Sequence, residues 1–203
     1  MGKLDLQRIT AKLFVADPGA VGPGAAELIP VFHRWIQAGD LSGLPIDVAD
    51  YGHVQDGPGV MLIGHEADRA LDFWDGRAGF SYQRKREAVG TTRERLAQAL
   101  REAAEGALRI EGEDDLGVAF RGDELQLRIA DRLQAPNTPE TLAALSADIV
   151  GAVSDVFPDA TAGLIRQSDA RRPFTVAVAL SGAPADGLSG RMALASGAGR
   201  VGR

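Results

Sequence analysis

Asp75-Gly76 lies between two runs of alternating apolar residues, and no other stretch constrains the fold of this chain as tightly. Asp-Gly is a strong two-residue hairpin signal, because both central positions of a type I′ turn need positive φ. Counting outward pairs Trp74 with Arg77 and Asp72 with Gly79. Upstream, residues 60–65 and 68–74 read as strands joined by a tight turn at Glu66-Ala67, which pairs His65 with Asp68. In the resulting meander Val60, Leu62, Leu71, Phe73, Ala78, Phe80 and Tyr82 share one face, a core face. Met61, Ile63, His65, Asp68, Ala70, Asp72 and Ser81 share the other, which is mixed. One apolar and one mixed face are typical of an antiparallel sheet with helices packed on one side.

The rest of the chain fits that frame. Residues 6–16 alternate as a first strand, with Leu6, Ile9, Ala11, Leu13 and Val15. A turn-rich loop, 17–24, leads into a helix over 25–37, where Leu28, Ile29, Phe32, Trp35 and Ile36 fall on one face. Leu44, Ile46 and Val48 form a short strand that Pro45 assigns to a sheet edge. Thr91 followed by Glu94 is a capping box opening a second helix. Gly122-Asp123 reads as a hairpin turn pairing Phe120 with Leu125. Pro139 sits in the first turn of a third helix, where its missing N–H costs nothing. Residues 161–166 and 174–180 form a final hairpin. The expected fold class is α+β: a largely antiparallel sheet of about seven strands, with three helices chiefly on one face. The order helix, strand, strand recurs, which suggests two similar halves within one domain over 1–180. Residues 181–203 are Gly, Ala and Ser with scattered Arg and read as a flexible tail.

Composition narrows the functional classes. A net charge of −6 excludes a general nucleic-acid binder. The absence of Cys removes disulfides, thiolate metal sites and cysteine nucleophiles. The start, Met1-Gly2-Lys3-Leu4-Asp5, lacks the apolar core of a secretory signal, and no run approaches the ~18 apolar residues that cross a bilayer. No membrane association is expected, and a cytoplasmic location is.

His33, His53 and His65 are the only histidines. His53 lies in the polar loop that begins at Asp50-Tyr51-Gly52, and His65-Glu66-Ala67-Asp68 ends the next strand. Imidazole with carboxylate suits a divalent metal or acid–base work near neutral pH. The candidate ligand or acid–base residues are therefore His53, His65, Glu66, Asp50 and Asp68, with a metal at His53 and His65. An extended strand between the two histidines puts them roughly 17 Å apart, so they meet only if the loop folds back. The alternative reading makes His65 a turn residue bonded to Asp68, and His53 a loop cap. His33 reads as a boundary residue of the first helix. Asp68, Asp72 and Asp75 read as solvated carboxylates, and Gln83-Arg84-Lys85-Arg86 as a charged strand end that discourages edge pairing. The loop 19–24 has neither a Gly-Lys-Ser/Thr ending nor the G-x-G-x-x-G order, and reads as a connection.

The stretch Ile46-Asp47-Val48-Ala49-Asp50-Tyr51, His53-Val54, Gly57-Pro58-Gly59-Val60 and Leu62-Ile63-Gly64-His65-Glu66 resembles a set of uncharacterised bacterial proteins. Ala119-Phe120-Arg121-Gly122-Asp123 and Arg128-Ile129-Ala130-Asp131-Arg132 extend the resemblance, which covers most of the chain to about Leu180. It implies a standalone protein and carries no activity, cofactor or catalytic residue. No catalytic motif is present: Gly-x-Ser-x-Gly and His-Glu-x-x-His are both absent. Two functions follow as expectations. One is a non-catalytic binding or assembly protein that meets a protein partner or itself as a homo-oligomer, through Met61 and Ile63 on the second face, the edges or the tail. The other is a small metal-dependent or acid–base enzyme centred on His53, His65 and Glu66.

Overall fold

The computed structural model describes residues 6–39, 41–182, 184 and 186–198. Its strands are β1 Ile9–Val15, β2 Pro45–Tyr51, β3 Gly59–Gly64, β4 Ala67–Asp72, β5 Gly79–Arg84, β6 Phe120–Ile129, β7 Ala162–Arg166 and β8 Phe174–Leu180. Its α-helices are α1 Leu28–Ala38, α2 Thr92–Glu111, α3 Pro139–Val156 and α4 Gly187–Ala198. The eight strands form one sheet in the order β2-β3-β4-β5-β1-β6-β8-β7, and every neighbouring pair is antiparallel. The fold is α+β as expected, with one more strand and one more helix than the sequence suggested.

Alternation decides which side of the sheet is core. Ile9, Ala11, Leu13 and Val15 of β1, Leu125 and Leu127 of β6, and Val176 and Val178 of β8 are buried beside Val60, Leu62, Leu71 and Phe80 of the meander. On that side α1 packs against β2 and β3, α2 against β1 and β5, α3 against β7, and α4 against β6. The helix signals act where the sequence placed them. The Thr91 hydroxyl accepts from the Glu94 amide while the Glu94 carboxylate accepts from the Thr91 amide, a complete capping box. Pro139 begins α3, capped by Thr138.

The β4–β5 pairing follows the expected register, Asp72 opposite Gly79, and the turn between them has positive φ at both Asp75 (61°) and Gly76 (69°). The β3–β4 turn lies one residue earlier than expected, at His65-Glu66. Leu62 therefore faces Arg69, where the predicted turn put Leu71. A register slip of two leaves every side chain on its own face, so the division into core and outer faces survives.

Two expectations are corrected. Gly122-Asp123 is not a turn: β6 runs unbroken through it, between β1 and β8. The glycine is required there because α4 begins directly above it. A Cβ on Gly122 would collide with the Gly187 carbonyl. Nor is the C-terminal stretch a flexible tail over 187–198. Leu188 enters the core, and the fully buried Arg191 donates to the carbonyls of Gly122 and Ser181 and to the Asp159 carboxylate. Residues 199–203 of that stretch, and Met1–Asp5, where no signal core was read, lie outside the described residues.

The recurrence seen in the sequence takes a specific form. β1-α1-β2-β3 and β6-α3-β7-β8 share the order strand, helix, hairpin, and the antiparallel β1/β6 pair joins the two units at the centre of the sheet. The β4–β5 hairpin is extra to the first unit and lies between β3 and β1.

Candidate functional site

The histidines named in the sequence stand at opposite ends of β3. His53 is exposed in the loop before Gly59, and His65 is exposed in the turn after Gly64. Asp50 accepts from the Gly52 amide at 2.8 Å, a local turn. Asp68 accepts from the Gly64 amide and pairs with Lys85 at 2.6 Å, so His65 is not its partner. Glu66 is exposed, and its backbone carbonyl receives the Lys85 and Arg86 amides. Among the described residues, no three His, Asp or Glu side chains are grouped as metal ligands. His33 is exposed on α1.

The sheet face away from the helices is more informative. None of the four described α-helices packs on it, yet Lys12 and Asp72 are each only 3% exposed there, and Phe14 and Thr175 are also buried. The cover is the β4–β5 turn, residues 73–78, which folds back across β1 toward β6. The Lys12 ammonium donates to the Asp72 carboxylate and to the carbonyls of Trp74 (3.3 Å) and Arg77 (2.6 Å). Its three N–H donors are all engaged, so Lys12 is a clamp on the turn. Burial draws its pKa below the usual lysine value, with the Asp72 carboxylate opposing that pull. Asp72, read as solvated, is instead the anion of a buried pair, and it also caps the turn through the Trp74 amide.

From that clamp three side chains reach outward. Arg77 stacks on the Phe14 ring at 3.6 Å and pairs with Glu124 of β6. Trp74 lies against the Arg128 guanidinium of β6, 4.1 Å from the ring centroid. Asp75 pairs with Arg172, which precedes β8. Burial raises the affinity of the Asp75 carboxyl for its proton, but the hydrogen bond and charge of Arg172, with Gln167 and Lys12 adding to them, together hold the pKa below the usual Asp value. Beside Trp74 the turn leaves a hollow of about 330 Å³ that also borders Arg128, Thr175 and Asp56.

At the other end of the same face the sheet is bare. A bulge between Pro45 and Asp47 lets Ile46 join Ile63 on one side of the edge strand. The two line a shallow hollow with His65, Lys85 and Arg86. Ile46 is 58% exposed and the preceding Leu44 68%. Leu44 also has a φ of 46°, a costly conformation for a γ-branched residue and a mark of a strained corner. Met61 and Ile63, placed on this face by alternation, are half-buried.

On the helix side Arg69 is 2% exposed and reaches past Tyr82 to Glu102 of α2 (2.6 Å) and Ser42 (2.9 Å). Burial raises the Tyr82 pKa, and Glu102 adds to the rise. Sequence reasoning did not find Lys12, Arg69, Trp74 or Arg128. The sequence held a signal for two of them: Lys12 is the one charged residue of its strand, and Arg69 falls on the core face once Leu71 is placed there. No protein-family model matches the chain, and no curated protein matches it.

Proposed function

We propose that this chain is a non-catalytic, cytoplasmic binding or assembly protein that holds a protein partner along the β2 edge of its sheet. The observation that carries this reading is the bare corner: exposed Ile46 lines a hollow with half-buried Ile63, and exposed Leu44 lies just before the same edge strand, β2, which has one unpaired side. Isolated exposed apolar residues are common, but a contiguous row at a sheet edge is the ground on which an extended segment adds as a further strand. His65, Lys85 and Arg86 rim the row, so the partner segment carries acidic side chains among apolar ones. No described helix is long and apolar enough to cross a membrane.

Panning a phage library of short linear peptides against the protein tests this. Enriched peptides should alternate apolar residues and include Asp or Glu, and the Ile46→Asp/Ile63→Asp variant should lose them. Enrichment that survives those substitutions would overturn the reading. So would an absence of enrichment combined with a single monomeric species in sedimentation.

A further inference from the structure

We propose that the hollow between the β4–β5 turn and the segment before β8 binds a small monocarboxylate, with Arg128 as its anchor. This site is separate from the β2 edge and does not depend on the function assigned to that edge.

Arg128 projects from the middle of the outer sheet face, opposite Thr10 on one side and Thr175 on the other. One side of its guanidinium is spent on the Trp74 ring. The guanidinium forms no hydrogen bond or ion pair with any described residue, although it is half-buried. That is unusual for arginine, whose five donors normally find acceptors when removed from water. Neighbouring cations have theirs: Lys12 has Asp72, Arg77 has Glu124, and Arg172 has Asp75. Arg128 also lines the cavity beside Trp74.

Charge selects the ligand class. Arg172 and Asp75 neutralise one another at the wall, which leaves Arg128 and the exposed Asp56 as the unpaired charges of the lining. A phosphate would bring two negative charges to a site with one unpaired cation and one unpaired carboxylate. A carboxylate brings one, and its two oxygens match the fork of a guanidinium. Trp74 and Pro173 supply an apolar wall, and a volume of about 330 Å³ suits a body of a few carbons. β6 is a central strand held on both sides, so the anchor is positioned before any ligand arrives.

The test follows the indole N–H resonance of Trp74 by NMR while 4-methylpentanoate is titrated into the full chain. Trp35, the other tryptophan, is buried among the helices and serves as the internal control. A saturable shift of Trp74 alone is expected. Inorganic phosphate and 4-methylpentanamide should give none. Arg128→Lys keeps the charge but loses the fork, and should weaken the response by about tenfold. Asp56→Asn, at an exposed loop position whose positive φ (51°) asparagine tolerates, should strengthen it by roughly two- to threefold. A peptide ending in a free Leu carboxylate distinguishes the source. If it binds tenfold better than 4-methylpentanoate, the carboxylate is a protein C-terminus; otherwise it is a free small molecule. The proposal fails if Trp74 does not respond to 4-methylpentanoate, if the amide or phosphate binds as well, or if Arg128→Lys leaves the response unchanged.

Discussion

The outer face of the sheet is treated in two ways. Over β1, β6 and β8, where the extra hairpin reaches across, polar and charged side chains are buried or half-buried, with Lys12 paired to Asp72 at the centre and Arg128 against Trp74. Over β2 and β3, no described helix reaches across, and Ile46 is exposed while Ile63 and Met61 are half-buried. The usual relation between polarity and exposure is thus inverted on one continuous surface. A six-residue turn produces the difference: its Trp74 and Arg77 carbonyls, with the Asp72 carboxylate at the end of β4, satisfy an ammonium that a bare sheet would have left to water. Covering a surface and filling it with apolar residues are therefore separate operations, and this chain performs each at a different end of one sheet.

The sharpest way to break that contrast is to remove the clamp. Lys12→Met strands the Asp72 carboxylate out of water and should cost about 3–5 kcal/mol in denaturant unfolding, whereas Lys12→Met/Asp72→Leu should recover much of the loss, since an apolar pair of similar volume replaces the ions. A double variant no more stable than the single one would show that the turn, and not the charge, holds this region. Next in size is Trp74→Ala, which takes the ring from Arg128 and should destabilise by about 1 kcal/mol, the scale of a partly desolvated cation–π contact. At the bare end Ile63→Asp should change stability far less, within about 0.5 kcal/mol in the same assay. A loss as large as that of Lys12→Met would mean the corner is core after all. The smallest effect is on acid stability. The Asp75 pKa is lowered in the fold, so its contribution is present above the ordinary Asp value and is lost as pH falls through the folded one. Arg172→Gln should remove that segment of the acid-unfolding curve and leave the neutral range nearly unchanged.

Much of the architecture was legible because period-two alternation is a strong constraint. It sorted Val60, Leu62, Leu71, Phe80 and Tyr82 onto the core face although the β3–β4 turn was misplaced by a residue, since the resulting slip is even. What failed had a common cause: local residue type was read where a distant contact decides. Gly122 looks like a turn residue, but its missing Cβ makes room for a backbone that arrives from 65 positions later, at Gly187. The stretch after Ser181 looks soluble and featureless, yet Arg191 finds three acceptors drawn from β6, the α3–β7 connection and the chain after β8. Asp72 looks like an outward strand carboxylate until Lys12 is known to reach it across Gly79 of β5. The candidate site fared worse than the fold. His53, His65, Glu66, Asp50 and Asp68 were chosen for their chemistry, and β3 keeps the two histidines apart. The side chains that do converge, Trp74 with Arg128 and Ile46 with Ile63, are joined by a folded-back turn and a strand bulge, neither of which leaves a pattern in sequence.

The place of β1 in the middle of the sheet has a consequence for synthesis. The strand meets its first neighbour, β5, only after α1 and three other strands have been made. Its second neighbour, β6, comes after α2 as well. Until then Ile9, Leu13 and Val15 have no permanent cover, and the nascent chain must carry an apolar segment through most of its own translation. The pairing that joins the two halves is thus made late and over a long sequence separation, the kind of contact that slows folding and exposes intermediates to aggregation.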